Sequence, residues 1–417
     1  MQVTEAIILA GGLGTRLREA VPDRPKCMAP VAGRPFMSHV IDELRMQGIQ
    51  RFIFSLGYMA DVIQDYLKEA YPTLDYTAIV EEEPLGTGGA IQACLRQAIT
   101  EHVLVANGDT LFKVALKDLA AVHKVNKAAC TLALKKMQDF NRYGVVALAE
   151  TGAITGFQEK KHYTEGLING GIYLLQKEPF LRLGLPEKFS FEKEYLEPGA
   201  EKGWLFGTVQ EGYFIDIGIP GDFQQAQTDL QRTPLDLKDI DKTWTLFLDR
   251  DGVINNETLG KYVLHWGEFI FSPGVLEAFK ILSGKFGHII LVTNQRGVSK
   301  GLMNLEDLNH IHKEMQKEVE AAGGRIDAIY YCIDKGNTSF YRKPNPGMAF
   351  QAKQDFPQID LSKAIMVGNK PSDAAFGRAA GIYTVFVTTT NPDQTFPHPH
   401  IDILHPTLLE FARSLQS

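Results

Sequence analysis

Ala6-Ile7-Ile8-Leu9-Ala10-Gly11-Gly12-Leu13-Gly14-Thr15-Arg16-Leu17 is the stretch on which the fold turns. Its first five residues form an unbroken apolar run, the pattern of a strand buried on both faces of a parallel sheet. The glycines that follow leave no Cβ between backbone N–H groups and an approaching phosphate. Arg16, and Lys26 after Pro25, bring two cations to the same turn. Backbone donors plus two cations answer the needs of a triphosphate rather than those of a packed core.

Outward from this turn, strand and helix patterns alternate. The first series continues through Arg51-Phe52-Ile53-Phe54-Ser55, His102-Val103-Leu104-Val105-Ala106 and Ala129-Cys130-Thr131-Leu132-Ala133-Leu134, with helical periodicity over 37–47 and 59–68. Such alternation predicts a mostly parallel, doubly wound α/β sheet. Residues 231–243 are polar, with Pro234 and alternating Asp, Leu and Lys, and read as a linker. A second series follows: Thr245-Leu246-Phe247-Leu248, His288-Ile289-Ile290-Leu291-Val292 and Ala364-Ile365-Met366-Val367. The expected organisation is one α/β domain over 1–230 and another over 244–417. In both halves acidic residues stand at strand ends, where such sheets bind ligands.

The 417 residues carry a formal net charge of -7, with 44% hydrophobic and 22% charged residues. No basic excess exists to neutralise a nucleic-acid backbone, so no nucleic-acid partner is expected. No apolar run reaches the roughly 18 residues of a membrane span. Cys27, Cys94, Cys130 and Cys332 form no Cys-x-x-Cys pair and read as buried thiols in a reducing compartment. No basic leader precedes the first strand, so a cytoplasmic enzyme of small molecules is expected. Whether it forms a homo-oligomer is left open.

Further motifs join the first turn. Glu81-Glu82-Glu83-Pro84-Leu85-Gly86-Thr87-Gly88-Gly89 is a second glycine-rich turn opening a helix, and Asn107-Gly108-Asp109 ends a strand. Glu159-Lys160, Asn169-Gly170-Gly171 and Phe214-Ile215-Asp216 follow. Two carboxylates at strand ends, Asp109 and Asp216, can jointly hold one Mg²⁺ against a triphosphate.

In this order, over 5–230, the motifs resemble the sugar-1-phosphate nucleotidylyltransferases, and among them the guanylyltransferases of mannose-1-phosphate type. The resemblance implies a Rossmann-like (GT-A-like) domain. It also implies in-line attack of a sugar 1-phosphate on the α-phosphorus of an NTP, with release of pyrophosphate. It assigns nucleotide contacts to Gly11, Gly12, Gly14, Thr15, Arg16, Lys26, Gly86, Thr87, Gly88 and Asp109. Arg16 and Lys26 would be catalytic, and Asp109 and Asp216 would hold Mg²⁺. Gly144, Glu159, Asn169 and Gly170 would meet the sugar, and Lys160 with Lys161 its phosphate. Guanine presents donors that suit a carboxylate of the 81–83 triplet, with Glu82 the expected contact. A solvated acidic loop is the alternative.

In the second half, Leu248-Asp249-Arg250-Asp251-Gly252 delivers two carboxylates two residues apart, sharing a face of an extended segment. One can attack while the other transfers a proton. Val292-Thr293-Asn294-Gln295 offers a hydroxyl, Arg342-Lys343-Pro344 a cation, and Gly368-Asn369-Lys370-Pro371-Ser372-Asp373 an amide and an acid. This ordered set resembles the haloacid dehalogenase-like phosphatases, a Rossmannoid fold. The resemblance implies an aspartyl-phosphate on Asp249, with Asp251 as general acid and base. Thr293 and Lys343 would stabilise the transferring phosphoryl group. Mg²⁺ would sit on Asp249, Asp251 (through its main-chain carbonyl), Asn369 and Asp373. Asn255, Asn294, Arg296 and Arg342 would contact substrate. Two departures stand out. Relatives often carry Asp where Asn369 stands, which removes one negative charge. Of their cysteine and histidine zinc loop only Cys332 remains, so no zinc is expected. His310 and His312 read as ordinary helix residues.

Within those families the first half is most similar to the heptose 1-phosphate guanylyltransferases, and the second to the histidinol-phosphate and heptose 1,7-bisphosphate phosphatases. Together the two resemblances imply one bifunctional enzyme: removing the distal phosphate of D-glycero-D-manno-heptose 1,7-bisphosphate would leave the anomeric phosphate, the nucleophile the first half needs. With GTP the product would be GDP-heptose. The alternatives are a mannose-1-phosphate guanylyltransferase with an accessory phosphatase domain, and a regulatory protein whose two sites have decayed.

Overall fold

The structure, a computed structural model, describes residues 1–12, 17, 21–257 and 262–416. The chain forms two compact units, Met1–Arg232 and Thr233–Ser417. In the first unit seven strands make one sheet. Their spatial order is Leu205–Val209, Cys130–Phe140, Tyr163–Gln176, His102–Asn107, Glu5–Ala10, Arg51–Leu56 and Asp75–Val80. Glu5–Ala10 lies near the centre, parallel to both neighbours. Its side chains alternate between two cores. Ile8 packs with Phe52, Phe54, Met37 and Ile41 on one face, and Ile7 with Ile53, Ile91 and Leu95 on the other. Both faces are covered, which is why the strand reads as a continuous apolar run.

One strand runs against the rest. Tyr163–Gln176 is antiparallel to both neighbours, and its register shifts between Asn169 and Tyr173. Gly171 sits there at φ +74°. Such irregularities re-aim side chains and recur beside functional sites. Apart from the sheet, Thr110–Phe112 pairs antiparallel with Phe214–Asp216, so that Asp216 stands opposite Thr110.

The second unit is a six-stranded parallel sheet. Its order is Ala328–Cys332, His288–Asn294, Thr245–Leu248, Ala364–Gly368, Tyr383–Val387 and Ile403–His405. The three strands ending before Asp249, at Thr293-Asn294 and before Asn369 are adjacent at its centre. Leu235 and Leu237 pack on this unit's core and Ile240 is buried in it, so most of the polar 231–243 stretch is part of the second unit. All four cysteines are buried and unpaired.

Candidate active sites

In the first unit the short strand pair brings two distant acids together. Asp109 lies between the strand ending at Asn107 and Thr110–Phe112, and Asp216 ends the partner strand. The Ile217 N–H donates to the Asp109 carbonyl at 3.2 Å, closing the same pairing. Lys26 reaches them from a single 3₁₀ turn, Lys26–Met28, anchored by buried Cys27 and Met28. Its Nζ lies 2.6 Å from Asp109 Oδ2 and 3.1 Å from Asp216 Oδ1. Burial would lower the lysine's pKa, but the two carboxylates outweigh it and raise it. The ammonium group shows that both carboxylates face a single cation, and their side chains remain 34% and 26% exposed. Two accessible hard oxygen donors around one positive charge fit Mg²⁺. Gly14, Thr15 and Arg16 lie outside the described residues.

Beside Asp216 opens a cleft of about 620 Å³, within the size range of small-molecule sites. Gly144, Glu159, Lys160, Asn169 and Gly170 all line it, as do Tyr143 and Asp216. The five predicted sugar positions, scattered over 27 residues of sequence (144 to 170), thus share one cavity wall. Asn169 is held by Tyr173, whose hydroxyl accepts from its Nδ2 at 2.8 Å, while its Oδ1 accepts from the Gly171 N–H at 3.0 Å. The Tyr143 hydroxyl stands 3.4 Å from Asp216 Oδ2, and burial, then that carboxylate, raise its pKa. Glu192, Lys193 and Glu197 also line the cleft. The sequence reading missed them. Glu192 and Lys193 project from a π-helical turn, Glu192–Leu196, a feature frequent at functional sites but without a local sequence signature.

The other predicted residues of this unit have distinct surroundings. Glu82 is exposed, and Glu81 is the acid brought to the first turn. Glu81 accepts from Ser55 Oγ at 2.5 Å and from the Leu85 N–H at 3.0 Å, and a Cβ at Gly11 would lie 3.2 Å from its Oε1. Gly88 is buried beneath the Phe189 ring and donates to the Phe189 carbonyl, while Thr87 Oγ1 accepts from the Phe191 N–H. Gly86, at φ +72°, would place a Cβ 2.5 Å from the Phe189 carbonyl oxygen. The second glycine turn is therefore shaped by the 187–191 segment packed on it, though Gly86 and Thr87 stay exposed. Lys161 lies over the Tyr163 ring at 5.3 Å and does not line the cleft.

In the second unit the strand ends converge. Lys343 Nζ lies 2.8 Å from Asp249 Oδ1 and 2.7 Å from Asp373 Oδ1, all three groups nearly fully buried. Burial, then Asp373, push Asp249 up to about 6, against the pull of Lys343 and Lys370. Burial would raise Asp251 too, but the fully buried Arg250 beside it holds it below its ordinary value. Asp251 Oδ1 accepts from Arg250 Nη2 at 2.9 Å and Asn255 Nδ2 at 3.1 Å. Gln295 Nε2 bridges Asp251 Oδ2 at 3.0 Å and Thr293 Oγ1 at 2.9 Å. His312 Nε2 sits 3.4 Å from Arg250 Nη1, and burial lowers the imidazole to about 3. His312 is thus part of the support of Asp251, whereas His310 on the same helix is exposed.

The other assigned residues of this unit differ in how far their polar groups are already engaged. Asn294 spends both side-chain groups on the Lys343 backbone, donating to its carbonyl at 3.0 Å and accepting from its N–H at 3.1 Å. It positions Lys343 and is not free for substrate. Asn255 is fully buried under Asp251. Asp373 Oδ2 accepts from the N–H groups of Asn369 and Lys370, and its Oδ1 faces Lys343, so its oxygens are engaged. Arg296 and Arg342 are near neighbours: burial, then Arg296, depress Arg342. Two cations close enough to oppose each other fit an anionic ligand. Asn369 is fully buried, and its Oδ1 has no hydrogen-bond partner. A buried, unpaired acceptor at a strand end, beside Asp249, fits a cation ligand.

Residues 5–233 match the nucleotidyl transferase family model, and residues 340–409 the HAD-hydrolase-like model. A D-glycero-alpha-D-manno-heptose 1-phosphate guanylyltransferase of Aneurinibacillus thermoaerophilus is 45% identical over 227 residues, covering 54% of this chain and 98% of the relative. A mannose-1-phosphate guanyltransferase beta-B of Xenopus laevis is 33% identical over 226 residues, 52% of this chain and 62% of the relative. The crystal structure of HddC from Yersinia pseudotuberculosis complexed with GMP-PN covers 55% of this chain and 100% of its own, at 35% identity and a TM-score of 0.50. The first of these matches takes in more than half of the 417 residues, and the chain belongs to the nucleotidyl transferase family.

Proposed function

We propose that the chain carries two successive activities. It removes the 7-phosphate of D-glycero-D-manno-heptose 1,7-bisphosphate, and it transfers GMP from GTP to the remaining 1-phosphate, giving GDP-heptose and pyrophosphate. The observation that carries this reading is a pairing on one chain. A unit 45% identical to a heptose 1-phosphate guanylyltransferase is joined to a unit in which Lys343 holds Asp249 at a strand end. The lower identity to the mannose relative, 33%, favours the heptose over mannose. Both substrates are soluble anions, which agrees with a cytoplasmic setting. No helix among the described residues is long and apolar enough to cross a membrane.

In the phosphatase step Asp249 attacks the distal phosphorus and the bond from phosphorus to the C7 oxygen breaks. Asp251 gives its proton to that oxygen. Water then attacks the aspartyl-phosphate, Asp251 takes its proton, and inorganic phosphate leaves. At rest Asp249 is raised and Asp251 lowered, the reverse of these roles. A dianionic phosphate arriving beside Asp251 raises its proton affinity. Thr293 and Lys343 face the equatorial oxygens, and Arg296 with Arg342 bind the phosphate that is kept. Mg²⁺ on Asp249, the Asp251 carbonyl and Asn369 would favour the ionised nucleophile and neutralise the phosphoryl charge. Cys332, whose Sγ lies 3.5 Å from Asp334 Oδ2, is given no zinc role.

In the transferase step an oxygen of the heptose 1-phosphate attacks the α-phosphorus of GTP, and the bond to the bridging oxygen of the β-phosphate breaks. No proton moves, so the residues bind, orient and stabilise charge. Lys26 faces the phosphates, Glu159 and Asn169 hold sugar hydroxyls, and Lys160 holds the sugar phosphate; the family likeness implies a phosphate role for Arg16 as well. Mg²⁺ on Asp109 and Asp216 would neutralise charge on the triphosphate. A panel of GTP, ATP, CTP and UTP against heptose 1-phosphate and mannose 1-phosphate tests the assignment. The GTP and heptose pair is expected to give the highest kcat/KM, and a preference for mannose 1-phosphate would overturn it.

A further inference from the structure

An amide ligand differs from a carboxylate in one respect: only one of its two terminal atoms can face a cation. Asn369 is such a group, fully buried at the end of the strand Ala364–Gly368. Its Nδ2 is committed to two acceptors. It donates to Thr390 Oγ1 at 2.6 Å and to Glu257 Oε2 at 3.3 Å. The second Glu257 oxygen is held by Lys370 Nζ at 2.6 Å, which fixes the carboxylate. Asn391 Nδ2 donates to the Asn369 carbonyl at 2.6 Å, tying the Thr390 loop to the same residue. With the nitrogen clamped, Oδ1 must point the other way, and it is the atom left buried without a partner. A free amide would turn to satisfy that acceptor, because a buried oxygen without a partner has lost its hydration and gained nothing in return.

We infer that Glu257 and Thr390 are positioning residues of the phosphatase site, which orient the Asn369 amide so that its oxygen alone is presented to a divalent cation. The inference rests on Asn369 being a ligand, as in the reading above. It explains how an amide serves where related sites often use a carboxylate: two residues outside the ligand set supply the orientation that a symmetric carboxylate does not need. Groups that orient a metal ligand are worth roughly tenfold to a hundredfold in affinity.

The test is a double-mutant cycle read by Mg²⁺ titration calorimetry, without nucleotide. The full chain carries Asp109→Asn and Asp216→Asn to silence the first unit. In this background Glu257→Ala and Thr390→Val are each expected to raise the Mg²⁺ dissociation constant about tenfold. With Asn369→Asp also present, neither change is expected to weaken binding, because either carboxylate oxygen can face the ion and Glu257→Ala removes a like charge beside it. Thermal unfolding without Mg²⁺ accompanies each variant, and a loss of binding without a matching drop in midpoint excludes misfolding as its cause. Equal weakening with and without the Asn369→Asp change would mean that Glu257 acts through charge alone and would overturn the inference, as would no weakening in either background. If the chain with Glu257 and Thr390 intact binds no Mg²⁺ in the second unit, the ligand role of Asn369 itself fails, a different outcome.

Discussion

Lys26 and Lys343 play the same part in unrelated frameworks. Each is a buried or half-buried ammonium group shared by two carboxylates that the chain delivers from separate elements. Each is therefore placed by electrostatics before any substrate arrives. Lys26→Ala is expected to lower kcat/KM for GDP-sugar formation by about a hundredfold or more, the scale for losing one preorganised charge contact, with phosphate release unchanged. Asp249→Asn is expected to abolish phosphate release while leaving GDP-sugar formation from the 1-phosphate intact. Separate pyrophosphate and phosphate assays on both variants check this, and loss of both activities in either would contradict it. Asp109, Asp216 and Asp249 stood out because each lies in a short motif at a strand end, and Lys26 and Lys343 because each sits in a short motif on a turn. Asn294 was misread because a motif does not show which partner consumes an amide, and here that partner, Lys343, lies 49 positions away.

At the scale of elements, the antiparallel strand Tyr163–Gln176 forms one wall of the cleft beside Asp216. Its irregularity at 169–171 turns Asn169 and Gly170 into the cavity, and Gly170 admits no side chain because a Cβ would collide with the Phe112 ring. Gly170→Ala is expected to cost about 1–3 kcal/mol by overpacking. Phe112 lies in the strand that holds Asp109 and Asp216 together, so the same change should slow GDP-sugar formation. Thermal unfolding with the transferase assay checks both. An unchanged midpoint would show that the ring moves aside freely. The parallel core of both units was legible from continuous apolar runs. The reversed strand was not: no helix lies between Cys130–Phe140 and Tyr163–Gln176, so the alternation that marks a parallel sheet stops there. The π-helical turn of Glu192 and Lys193 was not legible either, since its geometry follows from packing of Tyr195 and Leu196 in the core.

For the whole molecule, acid is expected to weaken both units. His39, His123 and His312 are buried, and burial lowers them to about 4, about 4 and about 3. The unfolded chain, with histidines near 6.5, binds protons more readily than the folded one. Stability is therefore full above about pH 6.5 and falls as pH drops toward 4, each histidine costing on the order of 3 kcal/mol once protonation forces it to unfold. Denaturant midpoints measured from pH 7 to pH 4.5 check this, and a flat profile would contradict it. The joining of two units on one chain is what narrows the sugar, since neither glycine turn nor paired aspartates specify it alone. The most direct measurement follows full-length protein with Mg²⁺, GTP and D-glycero-D-manno-heptose 1,7-bisphosphate, reading phosphate and pyrophosphate release in one time course. The account predicts that phosphate appears first and that pyrophosphate and GDP-heptose follow after a lag, with all three products absent in the Asp249→Asn variant. GDP-sugar formation from the bisphosphate in that variant, or no phosphate release by the unmodified chain, would contradict it.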